Sequence, residues 1–139
     1  MLVLLPALGC ALSLRSPLGV ALGHGSAGDG VGHWWSQRVS ALALVPLTIW
    51  LLVALLRLPL ADYATVSIWM AGGWNPVLLS LTVTVACWHS LLGVQVVIED
   101  YVHTPALKLA LLLASSGAHL LLAASGVYAI LRVALRGAA

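Results

Sequence analysis

The chain has 139 residues, of which 62% are hydrophobic and only 7% charged, and its mean hydropathy is +1.08. A soluble domain carries about 25% charged residues, so too little polar side chain is present to cover a water-soluble body. The formal charge of +2 is small and scattered, which excludes a basic stripe for nucleic acid, and the length allows one membrane domain.

Residues 1–14, MLVLLPALGCALSL, are apolar but too short to span a membrane, and they lack the positive start of a signal peptide. They read as an extension of little consequence. Residues 15–32 are rich in Gly and are expected to form a flexible surface arm, so that 1–39 precede the membrane domain. A first span is expected over 40–58, with Pro46 disturbing one backbone bond. The linker from Pro59 to Trp74 is expected to hold a short interfacial helical turn ended by Gly72 and Gly73. The second and third spans are expected over 75–98 and 105–132, with a tail over 133–139. Pro76 and Pro105 stand where a first helical turn accepts proline. A hydrocarbon core of about 30 Å needs about 20 helical residues. The expected fold is therefore an all-α integral membrane bundle of three helices over 40–132, up-down-up, behind an N-terminal arm. Short connections make consecutive helices antiparallel neighbours. Arg15, Arg38 and Lys108 fall on one side and Arg57, Arg132 and Arg136 on the other, so charge alone leaves the orientation open.

Within this apolar chain one histidine stands out. Between Pro76 and Ile98 the strongly polar side chains are His89 and Gln95. Ionisable groups inside a span face a bundle interior, a ligand or a partner. Asp100 follows His89 by eleven residues, three helical turns plus about 20°, so the two share a face about 16 Å apart in height. His89 reads either as a buried histidine hydrogen-bonded to a neighbouring helix or as a haem ligand, since imidazole binds iron through one ring nitrogen while the other is oriented by a hydrogen bond. Ala86 and Gly93, on the same side of the helix, would leave room for a flat macrocycle; small residues equally serve helix packing. His119 lies mid-way along the third span, where it either completes an internal pair with His89 or forms a packing hydrogen bond. His24, His33 and His103 lie in surface regions.

Asp100 and Tyr101 close the second span. Tyr101 reads either as an interface anchor or as a phenol donating to a ligand carbonyl, and Asp100 as a carboxylate orienting a basic partner or passing protons. Arg38 opens the first span on the same side, able to pair with Asp100, meet a lipid head group or hold a haem propionate. Cys10 and Cys87 make neither a disulfide framework nor a metal spacing. No Gly-rich nucleotide loop, Ser-His-Asp set or cysteine cluster is present, and no residue reads as catalytic by itself. Residues alone leave three readings open: a shared redox anchor, a non-redox membrane scaffold or small transporter subunit, and a self-contained cytochrome using His89 and His119.

The spacing His89, Gly93, Asp100-Tyr101 resembles the small hydrophobic anchor subunit of succinate:quinone oxidoreductase (complex II), and GSAGDGVGHWWSQRVSALALVPL resembles the start of the first helix in its alphaproteobacterial members. The likeness runs from about Arg15 to the C-terminus. It implies that His89 is an axial ligand of a b-type haem shared with the larger cytochrome b anchor subunit. It further implies that Tyr101 hydrogen-bonds ubiquinone, Asp100 supports that site, and Arg38 lies near the propionates or the quinone pocket. The implied partners are that larger anchor, an iron-sulfur subunit, a flavoprotein subunit and membrane lipid. The implied location is a bacterial inner membrane with the N-terminus cytoplasmic.

Overall fold

The structure, a computed structural model, describes residues 27–59 and 62–137. The expected extension over 1–14, the arm as far as 26 and the last two residues of the tail lie outside the described residues. The chain divides after Trp34 into two compact units; of the first only the opening turns of the first helix are described, and the second runs from Trp35 onward. Regular structure among the described residues is entirely helical: α1 Ala27–Arg57, α2 Tyr63–Ala71, α3 Asn75–Tyr101 and α4 Pro105–Gly137.

Among the described residues three helices are long and apolar enough to cross a membrane, over Val31–Arg57, Asn75–Tyr101 and Pro105–Arg136. The third outruns the span expected from hydropathy at its C-terminal end, the second only slightly, because backbone hydrogen bonding continues where the apolar stretch stops. With 27 residues α3 is about 40 Å long, so its ends project beyond the hydrocarbon. α1 begins at Ala27, inside the stretch read as a Gly-rich arm, and runs as one helix through Pro46. Between α1 and α3 lies α2, the short interfacial helix, which ends at Gly72 with Gly73 at φ 53°. Its last turn is tied to α3 by Asn75, whose Nδ2 donates to the Trp69 carbonyl at 2.7 Å. Trp69 also stacks on Trp50 of α1, centroids 5.9 Å apart.

Asp62 is the N-cap of α2: its carboxylate accepts from the Ala64 amide at 3.3 Å, the Thr65 amide at 3.2 Å and the Thr65 hydroxyl. Those bonds, the Thr65 hydroxyl first, hold its carboxyl below the usual carboxylate range. A depressed acid contributes stability above its unfolded pKa of about 4, and that contribution is lost as pH falls through the folded value. Protection of the Ala64 and Thr65 amides, taken relative to their intrinsic exchange rates at each pH, should therefore fall on acidification below pH about 4. In Asp62→Ala that protection should be low at every pH; protection indifferent to both would refute the cap.

Pairs of contacts fix the helix register. Ser40 meets His89, and Gln37 meets Gly93, where an added Cβ would stand 3.7 Å from Nε2 of Gln37. As numbers rise on α1 they fall on α3, which is antiparallel packing. Along the next seam Ser90 meets His119 and Val83 meets Gly126, again antiparallel. Lys108 closes the turn by donating from Nζ to the Glu99 carbonyl at 2.9 Å, capping an open helix end.

Lipid tails are as apolar as leucine, so membrane helices associate through close packing and interhelical hydrogen bonds. The seams here are built accordingly from Gly, Ser, His and Gln. The buried apolar side chains among the described residues are Leu47, Leu92, Ile130 and Ala134, whereas Leu42, Ile49, Leu52 and Leu56 of α1 are exposed in a helical stripe. Such faces need lipid or another protein against them.

Candidate functional site

His89 lies fourteen residues after the start of α3 and twelve before its end, so it sits near mid-span. Its ring leans toward α1. Nδ1 lies 2.9 Å from Oγ of Ser40, a side chain only 6% exposed. Nε2 has no hydrogen-bond partner among the described residues, and the ring as a whole is half-buried. Around the helix, Ala86 is exposed while Gly93 is backed by Gln37. The clearance expected beside Gly93 is thus occupied in part by a polar side chain, and the open flank is that of Ala86. An imidazole with one nitrogen held and the other available is the donor set an iron ligand requires.

Beside this pair, α1 and α3 enclose an apolar groove of about 440 Å³ with Trp35, Val39 and Ala43 on one wall and Thr84 and Trp88 on the other. Ser40 also lines it.

His119 takes the other seam. Its Nδ1 is 2.8 Å from the Ser115 carbonyl, an acceptor only, so Nδ1 donates there. Nε2 is then the accepting nitrogen and receives the Ser90 hydroxyl at 3.2 Å. Both nitrogens are engaged, and the residue it meets stands about 100° round α3 from His89. His119 therefore forms the packing hydrogen bond, and the arrangement does not pair it with His89.

Asp100 and Tyr101 end α3 in the open. Tyr101 is 81% exposed, and neither side chain has a hydrogen-bond partner among the described residues. The α1–α3 register places Arg38 level with residues 91 and 92, about 12 Å short of Asp100. The pairing of Arg38 with Asp100 considered above is not formed; antiparallel helices share a side of the membrane without sharing a layer. Arg38 instead lies two residues from Ser40, near the depth of His89. His33, read as a surface histidine, is half-buried, with Nε2 enclosed and without a hydrogen bond. Among the described residues no cluster of three or more His, Cys, Asp or Glu could hold a metal ion.

Sequence reasoning missed Ser40. The available signal was a hydroxyl within the apolar first span, but the partner of that hydroxyl depends on the relative height of two helices.

Residues 13–130 match the family model described as the succinate dehydrogenase/fumarate reductase transmembrane subunit. A succinate dehydrogenase hydrophobic membrane anchor subunit from Rickettsia bellii is 36% identical over 101 residues, which is 72% of this chain and 80% of that protein. The subunit of the same name from Rickettsia conorii is 36% identical over 83 residues, 59% of this chain and 66% of the relative. That from Paracoccus denitrificans is 28% identical over 120 residues, 86% and 92% of the two chains. No solved structure matches the chain significantly.

Proposed function

The chain belongs to the succinate dehydrogenase/fumarate reductase transmembrane subunit family, and from that premise we propose that this multi-pass membrane anchor supplies one axial ligand to a shared b-type haem and part of a ubiquinone site. The observation that carries the proposal is the vertical arrangement on α3: an imidazole with an available Nε2 near mid-span, and a carboxylate and phenol on the open end of the same helix.

His89 is the residue that would hold the iron, through Nε2, with the second axial ligand on the larger cytochrome b anchor subunit. The engaged nitrogens of His119 favour that intersubunit reading over a pair within this chain. When bound, the haem supplies a one-electron store at mid-membrane. Arg38, at that depth, has the fork geometry to hold a propionate. At the upper layer the Tyr101 hydroxyl would donate to a carbonyl oxygen of the quinone. Reduction of a quinone to a quinol takes two electrons and two protons. The electrons come from an iron-sulfur partner, itself supplied by a flavoprotein subunit that oxidises succinate. The Tyr101 hydrogen bond strengthens as the carbonyl oxygen gains negative charge, and Asp100 holds water and a cationic partner where the protons must arrive. The open end of α3 and the loop after it would then face the cytoplasm, where the soluble subunits dock, with the protein in a bacterial inner membrane.

The complex purified through a tag on this chain should show a b-type reduced-minus-oxidised spectrum, with flavin and iron-sulfur subunits present. His89→Ala should remove or shift that signal. A full, unshifted haem signal in that variant would defeat the ligand assignment.

A further inference from the structure

We infer that Ser40 is the positioning residue of His89: its hydroxyl holds the imidazole in the Nδ1–H form and so directs the unprotonated Nε2 at the iron. This rests on the haem reading above and concerns only groups of this chain.

A serine hydroxyl has one hydrogen to donate and two lone pairs. Ser40 Oγ donates to the Gln37 carbonyl at 3.0 Å, one turn back on α1. That carbonyl oxygen can only accept, so the hydroxyl hydrogen is committed there. Toward His89 Nδ1, at 2.9 Å, Oγ can then only accept. With the hydroxyl hydrogen so placed, Nδ1 carries the ring proton and Nε2 the lone pair. The chain carbonyl–hydroxyl–imidazole polarises in one direction, from His89 through Ser40 to the backbone of α1.

Burial makes the preference strong. Ser40 is among the few buried polar side chains among the described residues, only 6% exposed, so little water reaches its hydroxyl. Reversing the tautomer would leave Nδ1 needing a donor that Ser40 could supply only by abandoning Gln37. The bond also fixes the ring plane, because it ties a half-buried ring across two helices.

Removing such an acceptor has a sign. An Nδ1–H that donates gives the ring more anionic character, and a more anionic ligand stabilises the ferric state. Ser40→Ala should therefore raise the haem midpoint potential and shift the largest low-spin g-value, with haem still bound. Ser40→Thr keeps a hydroxyl on the same carbon and should return both readouts toward those of the parent complex.

The measurements are a potentiometric titration and a low-temperature paramagnetic resonance spectrum of the whole complex, for the parent, Ser40→Ala and Ser40→Thr, with subunit content checked in each. A raised potential in Ser40→Ala, restored by Ser40→Thr, supports the inference. Three superimposable titrations and spectra overturn it, as does a lowered potential in Ser40→Ala or an equal displacement in both variants. His89→Ala run alongside separates the two levels. If haem survives that change unaltered, the ligand assignment has failed; if haem needs His89 yet ignores Ser40, only the positioning role has failed.

Discussion

Tyr101→Phe is expected to slow quinone reduction by the assembled complex by about tenfold to a hundredfold, with haem content and subunit composition at parent levels. The size follows from what one hydroxyl contributes. A hydrogen bond to a group acquiring charge is worth about 1.5–3 kcal/mol, and each 1.4 kcal/mol in a barrier is about tenfold in rate. Structural loss is not expected, because the hydroxyl has no partner among the described residues and the side chain is exposed. Phenylalanine keeps the ring that an interfacial anchor needs. The backbone beneath is held independently, by the Val102 amide donating to the Ile98 carbonyl at 3.0 Å and by Lys108 donating to the Glu99 carbonyl. The check is steady-state reduction of a short-chain ubiquinone beside a haem spectrum. Unchanged turnover in Tyr101→Phe would return Tyr101 to the role of interface anchor, and loss of the complex would make it structural.

The spans were legible because a membrane helix announces itself by the absence of charge. The short helix α2 was legible in outline from Gly72 and Gly73. The periodicity of α3 also put His89 and Asp100 on one face. What periodicity cannot supply is the height of one helix against another. Between α3 and α4 only three residues intervene, so the loop itself nearly sets the register, and Ser90–His119 and Val83–Gly126 follow from it. Between α1 and α3 the connection is long and contains α2, so many offsets are compatible with the same sequence. The pairing of Ser40 with His89 and the depth of Arg38 both depend on that offset. That is why Arg38 could be placed on the side of Asp100 but not in its layer. The start of α1 was hidden for another reason: Gly28, Gly30 and Gly32 weaken a helix by about 1 kcal/mol each relative to Ala, yet the helix begins at Ala27 all the same.

The α3–α4 seam should prove intolerant at Gly126. A Cβ there would stand 2.8 Å from Cγ1 of Val83, a distance at which something must move. Val83 cannot simply rotate away, since a valine in a helix is confined largely to one χ1 rotamer. The relief must come from the helices parting, and the same seam carries the Ser90–His119 hydrogen bond two turns along α4. Gly126→Ala gains about 1 kcal/mol in helix propensity, and overpacking costs about 1–3 kcal/mol, so the net effect should be destabilising despite the better helix former. Gly126→Leu should be worse. Unfolding of the detergent-solubilised complex measures this, with Val83→Ala as the decisive companion. If the clash is the cause, the double variant Val83→Ala/Gly126→Ala should be more stable than the sum of its single changes predicts, by at least about 0.5 kcal/mol. Strict additivity would mean that the close approach is absent and that the seam is held by His119 and Ser90 without it. Coupling of the expected sign would instead make Gly126 the point where α4 comes nearest α3, and so part of what holds the back of the helix that carries His89.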